Sequence, residues 1–145
     1  MNELQAALKI ALANTFVMYF KAHSYHWSVV GPNFGQYHEF FGDLYEEIYG
    51  AVDPIAEHIR AIDGLTPISI MDLYDAKTVM EDGSRVMMTE QMFSNLLDAN
   101  NELILSLNKA FDLSNYAKNQ GLCNFLADRL DVHAKHGWQI KSFIK

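Results

Sequence analysis

Cysteine is nearly absent from this chain: Cys123 is the single thiol in 145 residues. That excludes an internal disulfide framework and any multi-cysteine zinc or iron–sulfur site, and it is compatible with a reducing cytosol. Positive charge is also scarce, with 11 Lys+Arg against 18 Asp+Glu and a net charge of −7. The basic residues form no run. Duplex DNA would repel such a chain unless its cations were gathered into a patch, whereas small cations would be drawn to carboxylates lining a concave surface. A long hydrophobic run is missing as well. The first twenty residues are apolar in stripes, interrupted by Asn2, Glu3, Gln5, Lys9 and Asn14, and no basic stretch precedes them. Neither a signal peptide nor a membrane span is expected, which makes the cytoplasm the default location.

Half of the residues are hydrophobic, enough for an ordinary core in one domain spanning residues 1–145. The periodicity is helical throughout, so the chain reads as all-α. A first segment, from about Asn2 to Val29, carries Leu4, Leu8, Leu12, Phe16, Tyr19, His23 and Trp27 at helical spacing. Gly31 and Pro32 end it. A second segment opens at Asn33, a residue suited to an N-cap, and runs to about Ile62 with Phe34, Tyr37, Phe41, Leu44, Ile48, Ile55 and Ile59 in phase. Pro54 lies inside it and removes the donor that would bond Gly50, so a kink is expected near 50–54, and Asp63-Gly64 is the stop. Residues 65–86 are irregular, with one short helix expected around Met71–Tyr74. A third segment starts near Thr89 as N-cap and ends at Phe111. After a polar break over 112–119, a fourth runs from Asn119 to Ile144, with Leu122, Leu126, Arg129, His133, Gly137 and Ile140 in register. Four long helices, joined by two short connections and one long crossover between the second and third, describe a ferritin-like four-helix bundle topology.

The chemistry-bearing residues concentrate between His23 and Arg60, which hold four of the six histidines. Asp53 and Glu57 stand at i, i+4, so both carboxylates leave one helical face. Oxygen donors of this kind suit Fe(II) or Mn(II), and added imidazole nitrogen shifts the preference toward iron or zinc. His26 and His38 are the nitrogen donors on the first two helices. Each feature also has an ordinary reading: a carboxylate pair is commonly a solvated face, His23 and His26 beside Trp27 can be interface histidines, Glu46-Glu47 reads as solvated surface, and Tyr19, Phe34, Phe41 and Tyr45 read as packing. Spacing alone does not show that any of these side chains converge.

The stretch Lys21-Ala-His-Ser-Tyr-His-Trp27, followed by Gly31, Phe34, Tyr37-His38-Glu39, Leu44-Tyr45-Glu46-Glu47, Asp53 and Ile55-Ala56-Glu57, resembles the signature of the Dps family of miniferritins. His133-Ala-Lys-His136-Gly-Trp138 resembles part of the family's last helix. The resemblance implies a dodecameric hollow shell with a ferroxidase centre between two subunits, di-iron or mono-iron. There Asp53 and Glu57 would supply carboxylate ligands, His26 a nitrogen from across the interface and His38 support for a second iron position, with Trp27 beside the centre. Two positions depart from the pattern. Gly42 stands where the family has an acidic residue, and Asp43 does not replace it, because a helix turns about 100° per residue. His58 stands where the family has arginine.

The resemblance therefore implies an oxidoreductase that oxidises Fe(II) with peroxide or oxygen and stores Fe(III) inside a homo-oligomer. Two other functions compete with it. DNA binding, which the family name suggests, is opposed by the acidic balance and by the absence of a Lys/Arg-rich tail, with only Lys141 and Lys145 near the end. A shell without turnover is kept in view by Gly42 and His58.

Overall fold

The computed structural model describes residues 1–145, and all of its regular secondary structure is α-helical. Its helices are α1 (Glu3–Ser28), α2 (Phe34–Tyr49), α3 (Val52–Ala61), α4 (Ile70–Ala76), α5 (Thr89–Tyr116) and α6 (Gln120–Ile144). α1 packs on both α2 and α5, and α5 packs on α6. The turns at 29–33 and 117–119 return the chain antiparallel to itself. The crossover from α3 to α5 carries α4, which rests on α1. This is the expected ferritin-like bundle with its long second-to-third connection.

Local chemistry explains where the helices begin and end. Asn2 and Gln5 form a reciprocal capping box at the start of α1, with bonds of 2.8 and 3.0 Å. Asn119 caps α6 through the Leu122 N–H at 3.2 Å. Asn33 does not cap α2 with its side chain; its backbone carbonyl accepts from Tyr37 instead. Gly31 sits at φ +118°, a conformation that needs glycine. Two boundaries differ from expectation. Met88, not Thr89, precedes the first turn of α5, and α5 continues through the polar 112–116 stretch to Tyr116. Within that stretch Ser114 is buried and donates its hydroxyl to the Phe111 carbonyl at 2.9 Å. The kink in the second segment falls at Gly50–Ala51, where Ala51 N–H bonds Ile48 rather than a residue four back. Pro54 then occupies the first turn of α3, where no helical donor is required.

α1 is buried on nearly every side, because α2, α3, α4 and α5 all touch it. Leu8, Ala11, Met18 and Ala22 are fully enclosed, and so is the polar Asn14. The Asn14 carboxamide fastens the crossover to the bundle. Its Oδ1 accepts the backbone N–H groups of Thr78 at 2.7 Å and Val79 at 3.0 Å, and its Nδ2 donates to Thr78 Oγ1 at 2.8 Å and Ser106 Oγ at 3.2 Å. Further along, Asp82 is held by Lys21 at 2.9 Å and the Tyr25 hydroxyl at 2.7 Å. The crossover is irregular in shape yet fixed by these polar anchors. No helix is long and apolar enough to cross a membrane.

Candidate metal centre

His26 lies in the last turn of α1 and His38 in the second turn of α2. The short turn through Gly31 brings the two rings face to face, with centroids 3.7 Å apart and planes 14° from parallel. The contact is reciprocal: His26 Nδ1 donates to the His38 carbonyl and His38 Nδ1 donates to the His26 carbonyl, each at 2.7 Å. A carbonyl can only accept, so both protons sit on Nδ1 in the neutral rings. The Nε2 lone pairs are thereby left free as ligands. Gly42 makes this possible. A Cβ there would lie 3.1 Å from His26 Cε1 and 3.2 Å from Nδ1. The His26 ring thus uses room that an acidic side chain at position 42 would need.

Asp53 and Glu57 share one face of α3, and both are exposed. No three His, Cys, Asp or Glu side chains converge within the chain closely enough to hold a metal ion. The four candidate residues therefore form two pairs, histidines at the α1–α2 turn and carboxylates on α3. His58 belongs to neither: its ring packs on Phe125 of α6 at 4.5 Å. Asp43 is exposed, as its helical angle requires. Beside the histidine pair, His23 lies flat on Tyr45, 3.7 Å away and 8° from parallel, and touches Trp27 at 4.1 Å. Trp27 itself is exposed. Burial, followed by the neighbouring His26, lowers the His23 pKa, and burial beside Tyr49 and Tyr45 raises that of Tyr19.

Sequence reasoning missed a polar network around Glu47, which is half-buried rather than solvated. Arg129 of α6 grips it with both guanidinium nitrogens, the second at 3.1 Å, and His136 Nε2 bonds it at 2.7 Å. Arg129 also meets His133 Nε2 at 3.0 Å, and the His133 Nδ1 faces Asn100 Oδ1 at 2.8 Å. Burial raises the Glu47 pKa, but His136 and Arg129 outweigh it and bring the carboxyl down to about 2. Burial, reinforced by the charges of Arg129 and His136, pushes His133 down to about 3. The signal was available: Arg129 and His133 fall on the apolar register of the last helix, and buried polar groups require partners. A hollow of about 550 Å³ lies elsewhere, along the crossover by Lys21, Asp82 and Glu102. A smaller apolar groove between α1 and α4 is lined by Phe16, Val17, Phe20, Ile70, Leu73 and Tyr74.

Comparison with known proteins agrees with this architecture. The ferritin-like domain model matches residues 5–145. The DNA protection during starvation protein of Brevibacillus brevis is 30% identical over 135 residues, covering 92% of this chain and 89% of the relative. The crystal structure of Dps from Thermosynechococcus elongatus superposes with a TM-score of 0.94 at 24% identity, covering 99% of this chain and 90% of that one. Dps from Vibrio cholerae O1, described as a member of a broad superfamily of ferritin-like diiron-carboxylate proteins, superposes with a TM-score of 0.92 at 22% identity, covering 99% and 89%. At these identities the two structures speak for the fold.

Proposed function

Because the chain belongs to the ferritin-like domain family and, within it, to the Dps miniferritins, we propose that it stores iron in a homo-oligomeric shell, a dodecamer, and oxidises Fe(II) at the seam between two copies. The observation that carries this reading is the division of the donors into two half-sites. One copy offers the paired imidazoles of His26 and His38 with their Nε2 atoms free. A second copy would offer the exposed carboxylates of Asp53 and Glu57. The His26 Nε2 and the two carboxylates would then meet the ion directly, with the His38 ring stacked beside that ligand, a mixed nitrogen and oxygen set suited to Fe(II).

The ion is substrate and cargo, oxidised by peroxide or oxygen and retained as Fe(III). The protein's part is to bind and orient it, with the imidazoles pre-set by their backbone bonds so that little rearrangement accompanies binding. The Gly42 contact supports one iron per site, since the ring of His26 fills the place of a further carboxylate. The exposed Phe20, Ile70 and Tyr74 around the α1–α4 groove support burial of this side against another copy. A cytoplasmic location accords with iron chemistry of this kind. The net charge of −7 weighs against DNA as a partner.

Mixed assemblies test the reading. Chains carrying His26→Ala and His38→Ala lack one half-site, and chains carrying Asp53→Ala and Glu57→Ala lack the other. Each alone should fail to accelerate Fe(II) oxidation, and co-assembly should recover it. A mixture as inactive as its components would exclude a site shared between copies.

A further inference from the structure

Tyr19 and His23 stand one turn apart on α1, with the phenol oxygen 2.9 Å from His23 Nδ1. Around them the aromatic contacts are continuous. Tyr45 lies 5.3 Å from His26 and 6.0 Å from Tyr19, centroid to centroid, and Tyr19 lies 4.7 Å from Tyr49. A path of rings thus leads from the proposed ligand His26 through Tyr45 to Tyr19, and on to Tyr49, which is 54% exposed. Packing accounts for the rings but not for the hydroxyl bond. A phenol gives up an electron readily only when its proton can leave at the same time, and that needs a base within hydrogen-bonding reach. Tyr19 has such a base in the His23 tautomer protonated on Nε2.

The need for such a group follows from the reading above, on which this inference rests. Hydrogen peroxide takes two electrons, whereas a single Fe(II) gives one. A centre limited to one iron, as Gly42 indicates, must find the second electron elsewhere or release a hydroxyl radical. We propose that Tyr19 supplies that second electron, with His23 receiving its proton. The O–O bond breaks as Fe(II) is oxidised to Fe(III) and the Tyr19 phenol to its phenoxyl radical. The two oxygens leave as two waters, using the two hydrogens of the peroxide, one proton from solvent and the phenolic proton passed through His23. A later Fe(II) returns an electron to the radical and is itself oxidised, and a proton restores the phenol. Tyr45 lies between ligand and donor and carries the electron across the gap.

The test is freeze-quench electron paramagnetic resonance on the assembled protein. It is loaded anaerobically with one Fe(II) per candidate site and mixed with hydrogen peroxide. An organic radical should form within the oxidation phase, narrow when the tyrosine rings are deuterated, and decay when more Fe(II) is added. In Tyr19→Phe the radical should be lost and spin-trapped hydroxyl radical should rise several-fold, while anaerobic titration still shows Fe(II) bound. Iron oxidation in the unaltered protein without a deuterium-sensitive radical would overturn the proposal, and this measurement needs no variant. A radical undiminished in Tyr19→Phe would overturn it too. If peroxide oxidises Fe(II) no faster with the unaltered protein than without it, the proposed function fails first and this inference with it, a result distinct from accelerated oxidation without the radical.

Discussion

The imidazole of His26 rests against Gly42, leaving 3.1 Å where a Cβ would stand. That distance is tighter than side chains normally accept, so with alanine the ring must give by a few tenths of an ångström. That shift strains the stack on His38 and the bond from His26 Nδ1 to the His38 carbonyl that fixes the tautomer. Gly42→Ala should therefore weaken Fe(II) binding by about tenfold, equivalent to ~1.4 kcal/mol. Anaerobic titration measures the affinity, and histidine NMR resonances report the strained stacking. An unchanged affinity would mean that the His26 orientation seen here has no role in binding.

Among the proposed ligands, Glu57 should matter most, then His26, then His38. Glu57→Ala removes a charged oxygen donor that no neighbour replaces, whereas water can take a vacated imidazole position. Removing groups that merely support ligands costs metal sites about 10- to 100-fold, so Glu57→Ala should slow initial Fe(II) oxidation by at least about 10-fold. Assembly should survive, because Glu57 is exposed and outside the core. Stopped-flow oxidation and light scattering separate the two effects. Loss of oxidation in His38→Ala with full activity in Glu57→Ala would refute the assigned order.

The bundle was legible because its helices advertise themselves: phased apolar residues, Gly31-Pro32 and Asp63-Gly64 as stops, Pro54 as the bend. Asp53 and Glu57 were legible as one face for the same reason. What spacing could not reveal was direction and partnership. The polar letters of 112–116 read as a break, yet tertiary contacts on α5, including buried Ser114, keep them helical. Glu46 and Glu47 are adjacent and chemically alike, but only Glu47 points at α6, and nothing in the local sequence announces Arg129 as its partner. The placement of His58 is likewise tertiary, since its ring packs on Phe125 of another helix.

Asn14 offers a test of how the crossover is held. Its side chain is fully enclosed and saturates the N–H groups of Thr78 and Val79. Asn14→Ala would leave both without acceptors, at a cost of ~1–3 kcal/mol for each such group. Chemical denaturation should register a loss of roughly 3 kcal/mol, within the range set by those two groups. Hydrogen exchange should rise at 78–79 before it rises in α5. Uniform exchange across the chain would indicate that the crossover is held by other contacts.

Acid should destabilise the fold in two stages, through His133 and Glu47. The His133 pKa falls from 6.5 to about 3 on folding. The unfolded chain therefore binds a proton that the folded chain refuses, and stability is lost as pH falls below 6.5 until the folded group itself titrates near 3. Glu47 falls from 4.5 to about 2, so its contribution is full above 4.5 and is lost as pH falls toward 2. Both act in the same direction, steepening acid unfolding between pH 6.5 and about 2. His133→Gln keeps a hydrogen-bonding side chain beside Asn100 and Arg129 but removes the titrating ring. Its unfolding free energy should vary less between pH 6.5 and 4.5 than that of the unaltered protein, whatever its value at neutral pH. Denaturation profiles followed by circular dichroism at each pH measure that slope. Parallel slopes for the two proteins would show that His133 takes up its proton without opposing the fold.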